Sequence, residues 1–154
     1  MKMKQLVIHQ YQNIVNAVAA NGRNLGFPPE GWVRTVRKAL GMSGAQLARR
    51  LGTSRALISQ TEKNELTGSV TVKTLQQMAE AMGCRFVYAI VPQNTTAELI
   101  ADRAREKARK LVNKTGQHMA LEAQALSAQQ MQYEIERLQR EILAEMPADL
   151  WDND

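Results

Sequence analysis

The stretch from Ser43 to Asn64 constrains this chain more than any other, because it spells two short helices joined by a tight turn. Ser43 suits an N-cap: its hydroxyl can accept from the backbone N–H three residues on, and Gln46 stands where a capping box places its Glu or Gln. Leu47, Ala48 and Leu51 then repeat at helical spacing as an inward stripe. Gly52 follows the last helical Leu, where a left-handed residue ends a helix and turns the chain. Ser54 can cap the second helix, whose inward side is Leu57, Ile58 and the alkyl part of Thr61. The outward positions Arg55, Ala56, Ser59, Gln60 and Lys63 carry short polar groups and positive charge, and the first acid is Glu62. A helix with that surface suits a DNA major groove. A plain helical hairpin would share the apolar stripe. It would not need small Ala48 at the closest approach, Gly52 at the turn and Ile58 as a core plug, all on a basic background.

The charge is unevenly spread. Residues 31–92 carry nine Lys/Arg against three acids, and 93–114 carry six against three, whereas 115–154 carry two against eight. The positive surface therefore surrounds the paired helices and the segment after them, as phosphate binding requires. The acidic tail points to another partner or to solubility. Aromatic residues are scarce, so the core is aliphatic and filled by Met. No run is long enough to cross a membrane and no signal peptide is expected. The lone Cys84 permits no internal disulfide and no metal cluster; it reads as a small buried residue in a reducing, cytoplasmic protein. Two isolated His residues, with no nucleophile–base pair, phosphate loop or metal spacing, give no support to catalysis, a metal or a cofactor.

Four regions follow in order. Residues 1–30 read as an N-terminal amphipathic helix, with Val7, Tyr11, Ile14, Val15 and Val18 inward, and a linker through Phe27-Pro28-Pro29. Residues 31–83 form the helix-turn-helix unit. Within it Trp32, Val33, Val36 and Leu40 line a preceding helix, and Val72, Leu75, Met78, Ala79 and Met82 line a closing one. Residues 84–92 carry β-branched, aromatic and aliphatic side chains on both alternating faces and read as one strand. A lone strand leaves its backbone groups unpaired, so the same strand of a second copy is the expected partner, through Phe86, Val87, Tyr88 and Ile90. An arm packed on its own core is the alternative. Residues 93–154 form a helical extension: a capping box at Thr95 and Glu98, a break near Gly116, a short stripe at Met119, Ala123 and Leu126, and a last helix capped by Ser127 and Gln130. Leu150 and Trp151 close it as a hydrophobic hook. The fold class expected is mainly α: a phage-repressor-like helix-turn-helix domain, one β-strand pairing across a dimer, and a C-terminal helical extension.

Leu40-Gly41-Met42-Ser43, Leu47 to Gly52, Ile58-Ser59-Gln60 and Glu62 resemble the phage-repressor/Cro (XRE) type of helix-turn-helix. More narrowly, Gly31 to Arg34, Tyr88 to Pro92, Met119 to Glu122 and Leu150-Trp151-Asp152 resemble the group called mobile mystery protein A over nearly the whole chain. That resemblance implies an antitoxin-like regulator encoded beside a Fic-domain protein. A strand after the last domain helix is also similar to antitoxins of persister-kinase modules, where it pairs across the dimer. Base-reading positions of the family fall on Ser54, Arg55, Ala56, Ser59 and Gln60. Phosphate contacts fall on Arg34, Ser43, Gly44, Arg49, Lys63, Asn64, Thr67 and Ser69. Arg37 and Glu62 fall where such repressors place an ion pair. Gly44 stands where many relatives have a backbone-contacting Gln, and Thr61 replaces a usual Leu. The blocking helix of Fic inhibitors, Ser or Thr followed four residues later by Glu and then Gly or Asn, has its nearest match in Thr61 and Glu65; Leu66 breaks it.

The expected function is a dimeric DNA-binding regulator on a palindromic operator, its recognition helices about 34 Å apart. The competing reading is a protein-binding antitoxin or adaptor acting through the acidic helices of 115–154.

Overall fold

The computed structural model describes the backbone of residues 2–121 and 127–153, with every side chain among them except those of 118–121. The described residues form α1 (Met3–Gly22), α2 (Trp32–Ala39), α3 (Gly44–Leu51), α4 (Arg55–Thr67), α5 (Val72–Ala81), α6 (Thr96–Leu121) and α7 (Ala128–Glu145). They divide into two compact units: Asn24–Ala89, and Met1–Arg23 with Ile90–Asp154.

The first unit contains α2 to α5 around Val33, Leu47, Ala48, Ile58, Met78 and Met82, with Val36, Met42, Leu51, Leu75 and Ala81 packed against them. Leu47 and Ile58 are fully enclosed, and burial of each contributes about 2 kcal/mol. Local chemistry sets the helix ends. The Ser43 hydroxyl accepts from Gln46 N–H at 3.1 Å, and the Gln46 side chain accepts from Ser43 N–H at 2.7 Å. Gly52 adopts φ 67, and the N–H of Thr53 reaches back to the Ala48 carbonyl, so α3 stops where the next helix must turn away. Three residues expected inward are not: Leu40, Leu57 and Val72 are 53%, 49% and 44% exposed. Leu40 lies beyond the end of α2 at the turn, Leu57 sits in the exposed first turn of α4, and Val72 opens α5. Near a helix end, periodicity gives direction without guaranteeing a neighbour.

α2 has no Ser, Thr, Asp or Asn before it; its N-cap is Gly31, at φ 84. The cap comes from 33 residues away: Glu65 of α4 accepts from Trp32 N–H at 2.6 Å and Val33 N–H at 3.0 Å. An anion placed on two free N–H groups at a helix start satisfies donors and complements the dipole. A Cβ on Gly31 would come within 3.0 Å of the Glu65 carboxyl carbon.

The second unit contains α1, α6 and α7. Ala108, Val112 and Ile135 form its core with Met131, Leu138 and Ile142, and Ala104, Ala108 and Val112 give α6 a narrow buried seam at four-residue spacing. The capping boxes at Thr95–Glu98 and Ser127–Gln130 both form. The break expected near Gly116 does not occur: α6 runs through it. A Cβ at Gly116 would sit 3.8 Å from Met131 Cε, an ordinary contact, so glycine is tolerated here and not required; its helix cost of roughly 1 kcal/mol is too small to break a helix packed on α7. The stripe expected at Met119, Ala123 and Leu126 lies outside the described residues and side chains.

Four further expectations are corrected. Val7, Tyr11, Ile14 and Val18 of α1 face solvent, because α1 packs through an adjoining side of Gln5, Ile8, Gln12, Val15, Asn16 and Ala19; of the residues expected inward only Val15 lies on it. Residues 84–92 form no strand: among the described residues no backbone ladder exists, since one chain offers this segment no second edge. Phe86 and Tyr88 stack with ring centroids 5.9 Å apart, and Val87, Tyr88 and Ile90 are exposed. Cys84 is exposed, not buried. Of the closing hook, Leu150 is buried and Trp151 is 61% exposed. Among the described residues no helix is long and apolar enough to cross a membrane.

Replacing Glu65 with Ala should lower the urea-unfolding free energy by about 1–2 kcal/mol through loss of the α2 cap. Gly31→Ala should lower it comparably or more, because the new Cβ meets both positive φ and the Glu65 carboxylate. A denaturation midpoint equal to that of the parent for both would remove the cap from the account.

Candidate nucleic-acid interface

α4 is amphipathic about one sharp boundary. Ile58, Thr61 and Glu62 are buried, whereas Arg55, Ala56, Ser59, Gln60 and Lys63 are exposed. Their spacing of one, three, one and three residues puts the exposed set on one side of the helix. Ser54 caps α4, accepting from Leu57 N–H at 3.2 Å, so its hydroxyl is committed to the helix start. Gln60 Nε2 donates to Asn64 Oδ1 at 2.9 Å, one turn along the same surface. Gly44, at the start of α3, lies close to Arg55: a Cβ built on it would be 3.9 Å from Arg55 Cγ. The small residue there leaves the backbone N–H groups at the start of α3 beside the first basic side chain of α4.

Buried polar chemistry fixes α4 in place. Arg37 of α2 donates from Nε to Glu62 Oε1 at 2.7 Å and from the guanidinium to Glu62 Oε2 at 3.2 Å. It also donates to the Met42 carbonyl at 3.0 Å. The two side chains are 13% and 10% exposed, so this is a bidentate pair largely withdrawn from water. One cation thus joins α2, the α2–α3 turn and α4. Thr61 keeps its buried hydroxyl satisfied by donating to the Leu57 carbonyl at 2.8 Å, which allows a polar residue in the core-facing stripe. Arg50 donates to the Ala81 carbonyl at 2.6 Å, tying the end of α3 to the end of α5.

The remaining expected contact residues fall in three environments. Ser43, Arg49 and Lys63 are exposed, Ser43 as the α3 cap. Thr67 is the last residue of α4 and Ser69 lies just after it, their hydroxyl oxygens 2.8 Å apart, around Gly68 at φ 81. Arg34 is turned to Glu30, Nε to Oε2 at 3.8 Å, and Glu30 also binds Lys38 at 3.0 Å. The Lys38 hydrogen bond, with the charges of Lys38, Arg34 and Arg37 beside it, holds the Glu30 carboxyl below its ordinary pKa. Arg34 therefore stands apart from the α4 set, in an exposed three-residue ion cluster. The residues that sequence reading missed are Glu65, Arg50 and the Met42 carbonyl as a second acceptor for Arg37. The signal for Glu65 was an uncapped α2 start and a carboxylate three residues after buried Glu62.

Thr61 and Glu65, the nearest approach to a Fic-blocking pair, are both used inside this unit. The basic run of α6 also has internal work. Arg103 donates to the Leu150 and Asp152 carbonyls at 2.7 and 2.6 Å, and Lys107 binds the Asp149 carbonyl and carboxylate.

Four short helices on an aliphatic core, the second and third joined by a glycine turn, with the third presenting a basic and amide face, are consistent with a helix-turn-helix domain of the XRE type, which the family match assigns to this region and which suggests a DNA-binding regulator. Residues 33–88 match the family model described as Helix-turn-helix (HTH_3). No curated protein and no solved structure matches the chain.

Glu62→Ala should destabilise the protein by about 3 kcal/mol, because it strands the Arg37 guanidinium in a largely buried site. Replacing both partners, Arg37→Met with Glu62→Leu, should restore much of that loss in thermal denaturation. Equal losses for the single and double variants would show that the pair has no energetic coupling.

Proposed function

We propose that this chain is a sequence-specific transcriptional regulator that binds a palindromic operator as a homodimer. The observation that carries this reading is the contrast on α4. Its inner edge is clamped by Glu62 and Glu65 to α2, and its outer face offers Arg55, Ala56, Ser59, Gln60 and Lys63 to solvent. A rigidly held helix with that face fits the major groove, where Gln60 reads adenine through two hydrogen bonds and Arg55 reads guanine or holds a phosphate. Ser54, Ala56 and Ser59 complete the base-facing set. Arg34, Ser43, Gly44, Arg49, Lys63, Asn64, Thr67 and Ser69 supply phosphate contacts. For Arg34 this requires exchanging Glu30 for a phosphate. The exposed Val87, Tyr88 and Ile90 support the dimer: an apolar segment with free backbone groups gains both burial and hydrogen bonds by pairing with its own copy.

The same reading makes the protein an autorepressor and antitoxin of an operon that encodes a Fic-domain protein. A second role, protein binding through residues 115–154, is favoured by Tyr133 and Trp151, which are 62% and 61% exposed within that acidic region. The two roles are compatible, since they use different units.

In fluorescence anisotropy on the operator upstream of its own gene, Gln60→Ala should weaken binding by about 1–3 kcal/mol, with far less effect on random DNA. Lys63→Ala should weaken both alike and flatten the salt dependence by about one counterion. Equal loss of Gln60→Ala on both DNAs would refute base reading by Gln60. For the second role, Tyr133→Arg and Trp151→Ala should each reduce pull-down of the adjacent gene product; full retention by both would remove that surface.

A further inference from the structure

We infer that the solvent-facing stripe of α1 is a seat for α1 of a second copy, packed antiparallel. This goes beyond the DNA-binding reading and does not rest on it. The stripe is Val7, Tyr11, Ile14 and Val18, with exposures of 42%, 67%, 65% and 45%. Spacings of four, three and four are those of a two-helix seam. The helix cannot turn this stripe onto its own unit, because an adjoining side is already bonded. Lys4 and Gln5 donate to the Met146 and Ala144 carbonyls at the end of α7, at 2.6 and 2.7 Å. Asn16 accepts from the Thr96 hydroxyl at 3.2 Å, Ala19 is buried, and Gly22 lies so close to Val91 that a Cβ would sit 2.9 Å from it. By helix geometry these contacts lie about 40° to 160° round the helix from the centre of the apolar stripe. Together with the partly buried Ile8 and Val15 they fix a rotation that leaves the Val7–Val18 stripe outward.

The charge pattern identifies the occupant. From Gln5 to Gly22 there is no Asp, Glu, Lys or Arg, in a chain where most other surfaces are densely charged. A partner of either sign would find nothing to pair with here, whereas an identical uncharged face meets no repulsion and loses no ion hydration on burial. Packing in parallel would set Lys2 and Lys4 against their own copies. The antiparallel arrangement also brings cations together, Lys2 and Lys4 against Arg23 with its guanidinium turned to the Pro92 and Asn94 carbonyls, so the choice rests on the helix dipoles, which it opposes favourably. The stripe offers on the order of 500 Å² per copy towards the roughly 800 Å² per partner of a stable interface. In this register Tyr11 faces Ile14 of the second copy.

Sedimentation of the full chain without DNA tests this. The parent should be dimeric at micromolar concentration, and Tyr11→Lys or Ile14→Glu alone should weaken dimerisation roughly tenfold or more, with helical circular dichroism unchanged. An equimolar mixture of the two variants should recover a heterodimer, because position 11 of one copy opposes position 14 of the other. A monomeric parent, a variant that dimerises as the parent does, or a mixture that stays monomeric would each overturn the inference. A monomeric parent would also remove the homodimer of the regulator reading, whereas a dimeric parent whose Tyr11 and Ile14 variants dimerise unchanged would overturn the α1 seat alone.

Discussion

Two carboxylates on the inner edge of α4 hold the DNA-facing domain together. Glu62 receives the Arg37 guanidinium and Glu65 receives the first N–H groups of α2. Both point away from the outer face, so the helix proposed to read DNA keeps its acids on its inner side. The arrangement removes two negative charges from the prospective interface and spends them on positioning. It also explains why α2, a helix of eight residues with no cap of its own, forms at all. Isolated helices of that length are marginal in water.

Hydrophobic contacts and polar bonds divide the labour in both units. In the first, Leu47, Ile58 and Met78 supply the bulk of burial, while Arg37 and Arg50 set the angles between helices by reaching backbone carbonyls and a carboxylate. In the second, the small residues Ala104 and Ala108 bring α6 close to its neighbour. Gln139 of α7 then fixes the register by donating to the Ala101 carbonyl at 2.9 Å. Directional bonds of this kind choose one arrangement among the several that an aliphatic, Met-rich interior would tolerate.

Features encoded within a few residues were readable from the chain. The Ser43–Gln46 and Ser127–Gln130 boxes, the Gly52 turn and the split of α4 into two faces depend on neighbours three or four positions away. Partners distant in sequence were not. Glu65 reaches α2 across 33 residues, and Arg103 reaches Leu150 across 47. The α1 stripe shows a second limit: its periodicity states that an apolar face exists, but not what meets it, and here the adjoining side with Ile8, Val15 and Ala19 is the one that packs. The Cys84–Pro92 segment shows the same limit in extended form, since a β-rich run defines a strand only when a second edge is present. Gly116 differs from expectation because one glycine lowers helix propensity by about 1 kcal/mol, too little to break a helix that packs along α7. For the groove-facing residues, sequence supplied their type and spacing; the structure adds that Ser54 is committed as a cap and that Gln60 is bonded to Asn64.

The buried Leu150 has an implication for handling the molecule. Its carbonyl and that of Asp152 are held by Arg103, and Lys107 grips Asp149 beside it. The last few residues therefore act as a latch closing over α6. Removing the chain from Leu150 onward would strip a hydrophobic plug and take two carbonyl acceptors from the largely buried Arg103, leaving it Glu106 alone. A fusion or affinity handle is accordingly better placed at the opposite terminus.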